Sequence, residues 1–271
     1  RRDSMATVIM KELDDLKKEY AVPRKTVVED GEEAVFEEKK PEEMEIVVLM
    51  DRFGYMRAID KNTYERNKEA ADAEHKFVFL CKNTGRICLF TNRGTLHTVK
   101  AGDLPFGKFR DKGIPVDNIS NYDSSGEDII YAVSQTALNL YRVIFTTKLS
   151  MVKVVSGGEF DVSKRTVAAT KLQEGDELVD VTVLSGQKDM VLQSAGGYFL
   201  KFSLEEIPEK KKGAIGVRGM RLGEDDRIEA VYYTYPEGEG ANKTISYKSR
   251  NLELHKLKSG KRDTKGTKIR A

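Results

Sequence analysis

Three glycines stand three residues apart at Gly213, Gly216 and Gly219, behind Lys210, Lys211 and Lys212 and beside Arg218 and Arg221. Bare backbone flanked by that much positive charge can approach a phosphate chain closely. The chemistry on offer is anion binding. Taken alone, the same lysines read equally well as a solvated turn. The glycines do not spell the Gly-x-Gly-x-x-Gly of a dinucleotide site, and no Gly-x4-Gly-Lys-Ser/Thr phosphate loop occurs. No paired His, Asp and Ser arrangement suggests nucleophilic catalysis. His75, His97 and His255 share no ligand spacing, so no metal site is expected.

The element that must position such a stretch recurs. A hydrophobic run, a turn, a second run carrying a basic residue and a looser Lys/Gly segment appear five times, at 45–60, 77–100, 140–156, 189–203 and 243–258. The turns are expected at Gly54, Gly94, Leu149, Gly197 and Asn251, in steps of 40, 55, 48 and 54 residues. Such steps are those of propeller blades, each a small antiparallel sheet of about four strands. Val, Ile, Phe, Tyr and Thr dominate the runs, as strands prefer. Tyr55 and Tyr198 are expected to pack between blades rather than stack on bases.

Charged residues make up 33% of the 271-residue chain, above the usual quarter, and hydrophobic residues 39%. The net charge of +2 is unevenly spread: residues 1–45 carry −5, residues 46–271 carry +7, and residues 243–271 alone carry +8. A basic body suggests a polyanionic partner. No apolar run is long enough for a membrane span, and the start of the chain lacks the apolar core of a signal peptide, which predicts a soluble intracellular protein. Cys81 and Cys88 read as lying on facing strands of the second repeat. A cross-hairpin disulfide is one reading, and buried free thiols the expected one.

Asp3 and Ser4 are good N-caps, and Met5, Val8, Ile9, Leu13, Leu16 and Tyr20 follow at helical spacing. A short amphipathic helix is predicted. Residues 29–45 are acidic and aperiodic and read as a linker, or as an acidic segment competing with nucleic acid for basic surface. Three regions follow: 1–28 as helix and junction, 29–45 as acidic linker, and 46–271 as an all-β body.

The repeats resemble a family. The stretch 212–229, with Gly216-Val-Arg-Gly-Met-Arg-Leu222 at its centre, looks like the fourth blade of the C-terminal domain of the type IIA topoisomerase A subunit. Residues 78–95 resemble its second blade and 172–179 its third. Residues 11–28 resemble the junction at which the last helix of the breakage-reunion core ends. The resemblance implies a β-pinwheel, a propeller-like disc of four-stranded antiparallel sheets whose neighbouring blades exchange a strand. Five blades are expected here, where a gyrase A subunit usually has six. Gyrase also carries a basic Gly-rich box in its first blade. Here Glu65-Arg-Asn-Lys-Glu-Ala-Ala71 stands in that place, without glycine. Residues 108–120 resemble topoisomerase IV of Gram-positive bacteria. The resemblance therefore favours a topoisomerase IV domain that binds and bends duplex DNA on a basic rim, guiding a segment for strand passage. A gyrase domain with a degenerate box is the alternative, and a protein-binding platform a more distant one.

What the resemblance implies for the site is a set of phosphate contacts that position DNA without reading sequence. Arg57, Lys153 and Lys201 are expected as contacts just after their turns. Lys108, Arg110 and Lys112 belong to the second connection, Lys164 and Arg165 to the third, and Lys211, Lys212, Arg218 and Arg221 to the fourth. Lys256, Lys261, Arg262 and Lys265 belong to the last. A bent segment shorter than gyrase's wrap is expected. Cleavage in this family needs a Tyr preceded by Arg, and Arg-Tyr occurs nowhere here, so the active site is expected outside this chain. No cofactor is expected in this segment, although the resemblance implies ATP and magnesium for the parent enzyme. Expected partners are duplex DNA, the remainder of the parent polypeptide and the B subunit, in the bacterial cytoplasm at the nucleoid, with no membrane.

Overall fold

The computed structural model describes residues 2–23, 25–26, 42–238 and 240–270, and the chain divides into two compact units, 1–41 and 42–271. The first unit contains helix α1 (Arg2–Tyr20), with Lys17 and Lys18 in its last turn, where cations complement the helix dipole. It begins at Arg2, so Asp3 and Ser4 lie inside the first turn rather than ahead of it. The linker expected over 29–45 lies outside the described residues as far as 41.

The second unit opens with β1 (Glu45–Met50), β2 (Tyr55–Asp60), α2 (Lys61–Arg66), α3 (Lys68–Glu74) and β3 (Phe77–Lys82). Next come β4 (Arg86–Thr91), β5 (Thr95–Lys100), the short β6 (Ile114–Pro115), β7 (Ile129–Ser134) and α4 (Gln135–Leu140). Strands β8 (Arg142–Thr147), β9 (Met151–Ser156), β10 (Thr166–Ala168) and β11 (Leu178–Val183) follow. The order repeats in β12 (Asp189–Ser194), β13 (Tyr198–Ser203), β14 (Val217–Arg218) and β15 (Ile228–Thr234). Last are β16 (Thr244–Tyr247), β17 (Arg250–Glu253) and β18 (Thr267–Lys268).

Four antiparallel sheets of four strands result, in the orders β3-β1-β2-β6, β7-β4-β5-β10, β11-β8-β9-β14 and β15-β12-β13-β18. Each hairpin gains one partner, β3, β7, β11 or β15, before the next hairpin begins. The other partner arrives only after the next hairpin is complete. That exchange makes a pinwheel of a propeller. The fifth repeat differs from the expected four strands: β16 and β17 pair only with each other among the described residues.

The hairpin turns close on left-handed residues. Gly54, Gly94 and Gly197 have φ of +81°, +74° and +81°, which glycine reaches without steric cost. In the third and fifth hairpins Ser150 (φ 67°) and Lys248 (φ 53°) take that place. The third turn thus closes one residue after Leu149. The fifth lies ahead of Asn251, which pairs with Ser246 inside β17.

Strands β1, β4 and β8 are buried at every position after the first. Side chains alternate between the two faces of a sheet, so an unbroken buried run means both faces are covered. Ile46 and Val48 of the first blade pack with Ile87 and Leu89 of the second. Cys88 and Phe90 then meet Val143 and Phe145, Ile144 and Val154 meet Met190 and Phe202, and Val191 and Phe199 meet Ile245. The core is a series of layers between blades. On the free face of the first blade, Val47, Leu49 and Ile59 are covered by Tyr64, Ala70 and Ala71 of α2 and α3. The glycine-free stretch 65–71 is thus mostly helical, and it caps a blade. Tyr198 joins the core as expected, whereas Tyr55 is 44% exposed.

Cys81 lies on β3 of the first blade, opposite Ile46, and Cys88 on β4 of the second. They do not face each other across a hairpin. Both are free and buried, and burial pushes their thiols up to about 11 and about 12.

Candidate nucleic-acid interface

Strands β3, β7, β11 and β15 contact one another from blade to blade, as strands near a common axis do. The opposite edge of each sheet, formed by the exchanged strands, is therefore the outer one. The segments leading into β6, β10, β14 and β18 run along that edge, and they contain the Lys/Gly stretches.

Their register repeats. Ala58, Val154 and Lys201 each form a parallel bridge with a return segment, at Phe106, Glu209 and Ser259. Seven residues further on stand Gly113, Gly216 and Gly266. A Cβ at these positions would lie 2.8, 2.6 and 2.5 Å from the carbonyl oxygens of Met56, Val152 and Phe199. Only glycine lets the segment pass so close to the hairpin, which accounts for Gly216 of the spaced trio and for its counterparts in the first and fourth blades. Between these anchors Lys108, Lys211 and Lys261 occupy one equivalent position, and Lys112 and Lys265 another, with Ile215 in the third blade. In the second blade Val167 pairs with Leu96 as Ile114 pairs with Met56. Arg165 therefore takes the place of Lys112, and Asp161 that of Lys108. All six of these cations are exposed.

Three expected contacts lie elsewhere. Lys153 is 1% exposed, and its Nζ donates to the carbonyls of Lys212 at 2.7 Å, Ala214 at 2.6 Å and Lys211 at 3.4 Å. Burial pushes its ammonium down to about 8. Lys201 is 6% exposed and donates to the carbonyl of His255 at 2.7 Å. Neither presents an ammonium to an incoming phosphate. Arg57 is half-buried against the ring of Phe109 and donates to that residue's carbonyl at 2.6 Å. Desolvation lowers its pKa. The corrected role is shared: a cation on the second hairpin strand pins backbone carbonyls of the edge segments and the fifth blade. The alternation of β2, β9 and β13 hid this, because a basic residue between apolar neighbours looks like an outward one.

Two more are partly structural. Lys212 donates from Nζ to the carbonyl of Glu159 at 2.9 Å, and Arg262 from Nη1 to that of Arg218 at 2.7 Å. Their backbone N–H groups donate to the carboxylates of Glu159 and Glu206 at 3.0 and 2.8 Å. Those glutamates carry no mark of their own in the sequence, but they recur in the turn after a hairpin (Gly158-Glu159-Phe160 and Leu204-Glu205-Glu206), and that recurrence was the available signal.

The remaining candidates are exposed. Arg110 pairs with Glu74 at 3.8 Å, Lys211 with Glu159 at 3.4 Å and Lys256 with Glu253 at 2.8 Å. Arg218 and Arg221 share Asp263 at 3.3 and 3.8 Å. Exposed pairs of this kind contribute about 0–1 kcal/mol, so exchanging them for a phosphate costs little. Lys265 lies 4.7 Å over the ring of Tyr198. Lys164 precedes Arg165 with no ion pair among the described residues. No group of His, Cys, Asp and Glu among the described residues could hold a metal ion, and no described helix is long and apolar enough to cross a membrane.

Residues 141–185 and 188–234 match the family described as DNA gyrase C-terminal domain, beta-propeller. The chain is 28% identical to the DNA gyrase A subunit of Helicobacter pylori over 275 residues, covering 96% of this chain and 33% of that protein. The DNA gyrase A subunit of Streptococcus pyogenes is 29% identical over 231 residues, covering 78% and 27%. The chain thus spans about a third of the length of these relatives. The fold is that of the solved C-terminal domain of DNA topoisomerase IV, with a TM-score of 0.70 at 22% identity, covering 85% of this chain and 74% of that one. The E. coli ParC C-terminal domain gives 0.65 at 15% identity, covering 83% and 94%. The matched blades, the gyrase A relatives and the strand exchange agree: residues 141–234 carry repeats of the gyrase C-terminal type, and the fold is that of the C-terminal domains of type IIA topoisomerase A subunits.

Proposed function

We propose that the second unit binds duplex DNA along the outer edge of its blades and bends it. One observation carries the reading: exposed cations recur at two equivalent positions of the return segments, Lys108, Lys211 and Lys261 at one, Lys112, Arg165 and Lys265 at the other. Duplex DNA carries a charge every ~1.7 Å, and cations repeated along a curved edge release its counterions without reading its bases. Bending a site of 20–30 base pairs by 40–90° costs on the order of 1–6 kcal/mol, which several such contacts offset. No catalytic group or cofactor is needed for this. The cleaving tyrosine, ATP and magnesium belong in this reading to the remainder of the parent polypeptide and to its partner B subunit.

We assign the domain to the topoisomerase IV type. In place of a Gly-rich box, 61–74 form two helices that cover the first blade. Without a glycine, residues 65–71 cannot lay bare backbone flat against phosphates as that box does. The gyrase reading draws its support from the 28–29% identity to gyrase A subunits.

The test is a salt titration of duplex affinity. Six contacts predict a slope of log K against log salt near −5, or roughly a thousandfold loss between 50 and 200 mM. A slope shallower than about −2 would contradict the reading. A circularly permuted probe set showing a full gyrase-like wrap would contradict the topoisomerase IV assignment alone.

A further inference from the structure

Arg86 stands directly opposite Lys100 across β4 and β5. Like charges facing each other on an antiparallel ladder are destabilising. Two more cations arrive beside them on the return segment of the same blade, Lys164 and Arg165. They are delivered there because the N–H of Thr98 donates to the carbonyl of Arg165 at 2.8 Å and Thr166 pairs with His97. The Arg86 guanidinium is already oriented, donating from Nη1 to the carbonyl of Val162 at 2.8 Å.

These four side chains line one recess of about 170 Å3, with Asp103 the acidic residue in its wall. None of the four is ion-paired among the described residues, whereas Lys211, Arg218, Arg221 and Lys256 of the later blades pair with Glu159, Asp263 and Glu253. Folding therefore gathers four like charges at one concave spot against a single carboxylate, Asp103, with which none of them forms an ion pair. The volume is that of about five or six waters at ~30 Å3 each, too small for a nucleoside-sized ligand and suited to a single small anion.

We propose that this recess is a seat for one phosphate group of the bound duplex, a fixed anchor among contacts that are otherwise interchangeable. The proposal rests on the DNA reading given above and adds to it that the second blade holds the backbone most tightly.

The test compares two doubly substituted full-length chains of equal charge. One carries Lys100→Gln and Lys164→Gln in the recess. The other carries Lys171→Gln and Lys188→Gln, exposed residues outside the recess. The recess variant is expected to lose at least about tenfold in duplex affinity at moderate salt and to flatten the salt slope by nearly two, about 0.9 per contact. The control is expected to change the slope by less than about half a unit. Arginine side-chain resonances of Arg86 and Arg165 are expected to shift when duplex is added. Equal behaviour of the two variants, with wild type still binding steeply salt-dependently, overturns the seat and leaves the DNA reading standing. A flat slope in wild type overturns both. Resonances that respond to inorganic phosphate but not to duplex assign the recess to a free anion and overturn the proposal.

Discussion

Replacing Lys153 by alanine separates a cation that builds the edge from one that meets DNA. Its ammonium makes two short hydrogen bonds, 2.7 and 2.6 Å, to carbonyls of the segment bearing Lys211, and a longer third at 3.4 Å. A hydrogen bond to a charged group contributes about 1.5–3 kcal/mol, and relief of the buried charge offsets part of the loss. Taking the lower figure for the two short bonds, the substitution should destabilise the fold by ~3 kcal/mol. Lys211→Ala removes only an exposed pair and should stay within ~0.5 kcal/mol. The DNA effects run the other way. At temperatures where both variants are folded, Lys211→Ala should flatten the salt slope by about 0.9, and Lys153→Ala should leave it unchanged. Urea unfolding and fluorescence anisotropy with labelled duplex supply the two readouts. A Lys153→Ala protein of unchanged stability that loses a full contact's slope would refute the assignment and return Lys153 to the rim.

The same lysine gives stability a pH dependence. Its folded pKa of about 8 lies below the ordinary 10.5, so between these values the unfolded chain binds more protons and stability rises with pH. Urea midpoints taken across that window should rise more steeply in wild type than in Lys153→Met, and identical profiles would count against a buried ammonium. Gly216→Ala places a Cβ 2.6 Å from the Val152 carbonyl at φ +107°, and should cost at least about 2 kcal/mol in chemical unfolding. A neutral effect would show that the return segment does not run so close. With thiols raised to about 11 and about 12, Cys81 and Cys88 should stay unreactive to a disulfide reagent at neutral pH and react only on unfolding. Rapid labelling of the native chain would contradict their burial.

The hairpins were legible because each is a run of β-branched and aromatic residues around a residue that tolerates positive φ. Where that residue is Ser150 or Lys248 the signal blurs, and the turn was displaced by one residue in one case and further in the other. The strand exchange was not legible in composition: β6, β14 and β18 are two residues long, and only the family resemblance carried them. For the site, Lys108, Lys211 and Lys261 share a position fixed by glycines seven residues beyond each bridge, a regularity that spacing alone does not reveal. Lys153 and Lys201 misled for a physical reason. Type and position on the strand match an outward cation, and only the carbonyls of a segment about 55 residues away, brought back by the topology, make their burial tolerable.

Lysine reactivity in the presence and absence of a duplex of about 30 base pairs is the most direct test. Acetylation of the full chain, read by mass spectrometry, should show Lys108, Lys112, Lys211, Lys261 and Lys265 protected by DNA, and Lys153 and Lys201 unreactive with or without it. Protection of the hairpin-turn lysines Lys148 and Lys248, with the return-segment lysines modified equally in both states, would place the DNA on another surface and contradict the account.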